Sequence, residues 1–123
     1  TPDFPVDSPA LSQIMGPVEL RSIREAVGYS IEDLTRELSV SRSIIQKWEA
    51  GSAPIPAGVA KAMEVLQDAY QDALDAALAS AGDVITVPRT DVESWEATSR
   101  PARWWRMIAA EVRLERGVRI VVA

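Results

Sequence analysis

The thirteen residues SVSRSIIQKWEAG, running from Ser39 to Gly51, gather side chains suited to reading hydrogen-bonding edges. Arg42 and Gln46 stand four apart, one turn of a helix. A guanidinium forks onto guanine through two bonds and a carboxamide does the same for adenine, each worth roughly 1–3 kcal/mol of discrimination. Ser43 and Lys47 repeat the spacing, so all four fall opposite Ile45 and Trp48. Small polar residues at the helix start permit close approach to a duplex, and Ser41 with its backbone N–H suits a phosphate. Other chemistry is poorly provided for. The 123 residues contain no Cys and no His, which removes thiol nucleophiles, disulfides and the commonest general base and metal ligand. No Gly-rich phosphate loop and no distinctive carboxylate pair is present. No catalytic residue, metal site or cofactor is expected.

A reading helix needs a scaffold, and the surrounding pattern supplies one. Pro17 suits a first helical turn, Leu20, Ile23 and Val27 recur at helical spacing, and Gly28 stops the run. Ser30 opens a second helix, with Asp33 three residues on in the capping-box position, and Ile31, Leu34 and Leu38 form its inner stripe. After a tight turn through Ser39 and Val40, Ser41 caps the third helix. Pro56 begins a fourth through Val59, Met63 and Leu66. The stripe runs on through Tyr70, Leu74 and Leu78 to Gly82, as one long helix or as two with a bend.

The charge is unevenly spread. Lys and Arg number 13 against 18 Asp and Glu, a formal net charge of -5. Residues 1–16 hold two acids and no base, which with Pro2, Pro5 and Pro9 reads as a flexible arm. Met15 would suit a native initiator. Residues 17–66 are near neutral, with six bases and seven acids, while 67–83 carry Asp68, Asp72, Asp75 and Asp83 and no base. That acidic run reads as the solvated face of a connecting helix, or as a surface for a basic partner. Residues 84–123 hold seven arginines against five acids. There VITV (84–87) and the terminal VRIVV read as short strands. Between them come a loop bearing Trp95 and a helix set up by Ser99 and Pro101, with Trp104, Ile108 and Val112 on one face. Two isolated short strands are marginal in water, so a partner subunit is the economical cover, with Trp95, Trp104, Trp105, Ile108, Val112 and Ile120 as dimerisation residues.

The segment LRSIREAVGYSIEDLTRELSVSRSIIQKWEAGSAPIP resembles the lambda-repressor/Cro-type, or Xre-type, helix-turn-helix family. The likeness rests on S-[RT]-S-x-I-x-[KR]-W-E-x-G, present as Ser41, Arg42, Ser43, Ile45, Lys47, Trp48, Glu49 and Gly51. It implies base readout by Arg42, Ser43 and Gln46 and phosphate contacts from Ser41, Lys47 and Ser52. It also implies a structural Glu49 and a core Trp48. Two positions depart from the pattern. Glu32 replaces a frequent helix-two Gln that supports a phosphate contact. Ile44 replaces a small polar residue, suiting a thymine methyl or marking a helix that has left base reading. The C-terminal part is more weakly similar to anti-CRISPR-associated repressors and related regulators, through Val87-Pro88, Trp95, Trp105, Ile108, Ala109, Glu111 and Val112. That likeness implies a homodimer repressing its own operon through an inverted repeat.

The expected architecture is mainly α. A lambda-repressor-like helix-turn-helix domain of four to five helices (17–66) is joined by an acidic connecting helix (67–83) to a small α/β dimerisation element (84–123). The expected function is sequence-specific repression by a cytoplasmic homodimer on double-stranded DNA. The rival is an antitoxin-like or anti-restriction protein whose main partner is another protein, with DNA binding kept for autoregulation. Neither a membrane span nor a secretory signal is read in the sequence.

Overall fold

The computed structural model describes residues 15–123, so the arm expected over 1–16 lies, up to residue 14, outside the described residues. Helix α1 (Pro17–Ala26) starts as a proline at the first helical position predicts, with the Gly16 N–H donating to Glu19 Oε1 at 3.0 Å. It ends at Gly28, whose φ is +76° and where a Cβ would lie 2.9 Å from the backbone of Arg103, so glycine is demanded twice. Helix α2 (Ile31–Leu38) begins with the reciprocal pair expected: Asp33 N–H donates to Ser30 Oγ at 3.0 Å and Ser30 N–H to Asp33 Oδ2 at 2.8 Å. Helix α3 (Arg42–Ala50) is capped by the Ser41 hydroxyl, which accepts from Ile44 N–H, and is closed by Gly51 at φ +77°. Helix α4 (Ala57–Ala79) is a single unbroken helix of 23 residues. Past Gly58 it contains neither Gly nor Pro, so nothing in the sequence bends it.

Strand β1 (Val84–Val87) follows, then helices α5 (Asp91–Thr98) and α6 (Ala102–Arg116), then strand β2 (Arg119–Val122). The stretch around Trp95, expected as a loop, is helix α5. Thr90 caps it by accepting from Glu93 N–H, Asp91 and Glu93 favour its positive N-terminal end, and Ser99 closes it in the left-handed region. Its only large apolar residues are Val92 and Trp95, too few for periodicity to reveal a helix. The strands pair with each other in parallel, Val84 opposite Arg119 through Val87 opposite Val122. Helix α6 packs against both, so each chain supplies its own strand partner and a covering helix.

The core is continuous along the chain. Leu20, Leu34, Ile45, Trp48, Met63 and Leu66 from the first four helices join Leu74, Trp104, Ile108, Val112 and Val118 in one cluster. Tyr29 is the hinge of that junction, meeting the rings of Trp95 and Trp104 edge-on at 6.1 and 5.9 Å. Its hydroxyl donates to Glu37 at 2.6 Å and accepts from Arg100, whose guanidinium also pairs with Glu37 at 3.0 Å. The first four helices and the C-terminal part therefore brace one another. Among the described residues no helix is long and apolar enough to cross a membrane.

Candidate nucleic-acid interface

The face that could read DNA is assembled on α3. Arg42, Ser43, Gln46 and Lys47 are exposed, while Ile45 and Trp48 are buried on the other side. The split follows from 3.6-residue periodicity: the exposed four occupy one sector and the apolar pair anchors the opposite one. Ser41 and Ser52, just before and after the helix, are exposed as well. Ser41 Oγ spends a lone pair on its cap, which leaves its O–H hydrogen to donate to a phosphate. Ile44 is half-buried and packs against the core cluster. Its bulk is thus partly used in holding α3 down, and only part of it faces outward.

Two ion pairs set the geometry, and neither is visible as a pair in the sequence. Arg24 of α1 grips Glu49 of α3 through two bonds, Nε to Oε2 at 2.7 Å and Nη2 to Oε1 at 2.9 Å. Its third contact is Nη1 to the Tyr29 carbonyl at 3.0 Å. Both side chains are about 10% exposed, so the fork is shielded from water and fixes how α3 sits against α1. The hydrogen bond to Glu49 is also the main cause that raises the Arg24 pKa, against the opposing effect of burial. Glu49 is structural, as the resemblance implied. Its partner Arg24 was missed, because 25 residues separate the two and only the α1–α3 packing brings them together.

The second pair joins Arg42, first residue of α3, to Glu32 in the first turn of α2. Both are more than half exposed, so water screens the attraction and its contribution to stability is small. Its consequence for recognition is larger. A carboxylate stands at the edge of the reading face and holds the arginine best suited to guanine. It repels phosphate while it orients the guanidinium. Glu32 was noticed in the sequence as a departure from the family pattern, but not as the partner of Arg42.

The residues expected to dimerise divide differently. Trp104, Ile108 and Val112 are buried within the chain's own core. Trp95 is half-buried under Arg36, whose guanidinium lies 4.5 Å from its ring, and Trp105 donates its indole N–H to Thr98 at 2.9 Å. Ile120 is 38% exposed. The structure thus brings the residues expected to face DNA together on one surface and does not gather the other six on one.

Comparison with protein families agrees with this architecture. The helix-turn-helix family model HTH_3 matches residues 20–66, from the middle of α1 into α4. Among curated proteins, none matches the chain. The matched segment contains both the brace, Arg24 with Glu49, and the whole of α3. Residues 20–66 thus match the helix-turn-helix family of the Xre/lambda-repressor type, which supports a DNA-binding regulator in general.

Proposed function

We propose that the chain is a sequence-specific repressor that works as a homodimer on an inverted repeat, each copy reading one half-site with α3. The observation that carries this reading is the α3 face itself, where Arg42, Ser43, Gln46 and Lys47 are free of the core on a helix clamped by Arg24 and Glu49. Arg42 and Gln46 read bases, Ser43 adds a short-range contact, Ser41, Lys47 and Ser52 hold phosphates, and the outer part of Ile44 meets a thymine methyl. Pairing matters because the module is close to neutral and gains little from bulk attraction to phosphate. Two linked readers raise affinity through effective concentration, and their spacing sets half-sites about one helical turn apart. Control of its own operon follows from the likeness of the C-terminal part to autorepressors, which makes the upstream DNA of its own gene the duplex to test.

The test is a titration against that DNA, with Arg42→Ala, Gln46→Ala alongside the unaltered chain. Loss of two base contacts weakens specific binding by roughly 2–6 kcal/mol, while binding to random duplex falls only by the roughly severalfold that one lost positive charge brings. Equal binding of the palindrome by both proteins would sink the assignment of α3 as the reader.

A further inference from the structure

Helices α4 and α6 lie side by side, and the groove between them is lined by apolar Ala26, Val27, Met107 and Ala110 and by polar Gln67, Tyr70, Gln71 and Glu111. The only charged group in the lining is Glu111, but the exposed ridges beyond the groove carry opposite charge. On α4, Asp68, Asp72 and Asp75 follow at helical spacing and are exposed, and no Lys or Arg occurs between residues 62 and 88. On α6, Arg103, Arg106 and Arg113 lie with Ala110 on one exposed stripe that contains no acid. The acids of α6 lie off that stripe: Glu111 accepts from the Tyr70 hydroxyl at 2.8 Å, and Glu115 falls on the opposite side of the helix. None of the three aspartates and three arginines has an ion-pair partner among the described residues, although Arg113 donates to the Val118 carbonyl at 2.8 Å and Asp75 accepts from Gln71 at 3.0 Å. An acidic ridge and a basic ridge therefore flank a groove of mixed apolar and polar lining without neutralising each other.

Such a surface is complementary to itself. A two-fold axis parallel to the groove places each copy's aspartate ridge on the other's arginine ridge, whereas an axis across the groove sets acid on acid. We propose that a second copy of this chain docks here, with the axis along the α4–α6 groove and the charged ridges exchanged between copies. This rests on the reading of the chain as a dimeric regulator and gives that dimer a surface. The second half of α4 and the outer face of α6 supply the contact, so neither α3 face is covered. The buried Trp104, Ile108 and Val112 then act indirectly, by holding α6 in place beneath its arginines.

Sedimentation equilibrium of the full chain tests the assignment. The unaltered protein is expected to be a dimer at micromolar concentration, loosening as salt rises from about 50 mM to about 500 mM, where exposed charges are screened. Arg103→Glu, Arg106→Glu makes both ridges acidic, and Asp68→Arg, Asp72→Arg makes both basic. Each variant alone is expected to dissociate at least about tenfold more readily. Mixed in equal amounts they should form a dimer again, because every acidic ridge then meets a basic one. Helical circular dichroism confirms that each variant folds, and the salt series on the unaltered chain carries the test for any that does not. A dimer indifferent to salt or to both reversals, or a mixture that stays monomeric, overturns the groove and leaves the dimer. A monomeric unaltered chain overturns both.

Discussion

Arg42 enters the reading face already engaged, and this separates it from Gln46 and Lys47, which have no side-chain partner among the described residues. Its ion pair with Glu32 restricts the guanidinium before any duplex arrives, at the expense of a negative charge beside the phosphates. Replacing the carboxylate with an amide separates these effects. Glu32→Gln is expected to tighten binding to random duplex by roughly two- to fivefold at low salt, in line with the worth of an exposed charge pair. Operator binding should gain less, since the freed arginine loses orientation, so the ratio of specific to random binding falls. Fluorescence anisotropy against the two duplexes reads both numbers, and unchanged affinities would show that Glu32 plays no part in recognition.

At the scale of elements, α3 is held by an end cap, two apolar anchors and the Arg24–Glu49 fork. The cap and anchors are local, but the fork spans α1 and α3 and is the least replaceable. Removing one partner of a shielded pair strands the other charge, while removing both restores balance. Glu49→Leu is therefore expected to destabilise the fold by about 3 kcal/mol, read as a lower denaturant midpoint. Arg24→Met combined with Glu49→Leu should recover part of that loss, although its α3 will be less firmly oriented and its operator binding weaker. A double variant no more stable than Glu49→Leu alone would argue against a stranded charge. Helix α5 acts through Trp95, which lies under Arg36 and meets Tyr29 edge-on, and so fastens the C-terminal part to α2.

Across the whole molecule, the junction between the helix-turn-helix domain and the C-terminal part is aromatic and is locked by two tyrosine hydroxyls. Tyr29 donates to Glu37 and accepts from Arg100 across the junction, Tyr70 donates to Glu111, and burial, reinforced by each carboxylate, pushes both phenol pKa values up. A group that holds its proton more tightly when folded stabilises the fold fully below its unfolded pKa, near 10 for tyrosine. That contribution drains away as pH rises from there towards the folded value. Thermal stability is thus expected to fall steeply above about pH 10. Tyr29→Phe with Tyr70→Phe should flatten the alkaline limb, and an equally steep limb in that variant would assign it to other groups. Trp104 sits at the centre of the same junction, beneath Arg100 at 4.6 Å and against Tyr70 at 5.1 Å. From sequence alone Trp104 is expected on a dimer surface, because two short strands and one helix taken by themselves need outside cover.

What the residues determine by themselves is local. The Ser30 and Ser41 caps, the stops at Gly28 and Gly51, and the polar sector of α3 each depend on groups within a few positions. Spacing and residue type alone were enough to give them. The short strands were legible for the same reason, being β-branched runs bounded by breakers. Tertiary structure decided everything that depends on which helices touch. It joined Arg24 to Glu49 and Glu32 to Arg42, paired β1 with β2 in parallel, and put Trp104, Ile108 and Val112 under the chain's own surface. An apolar stripe says that a face will be covered, but not by what. Here the cover came from the same chain, because Gly28 lets the first turn of α6 come within contact of the α1–α2 corner.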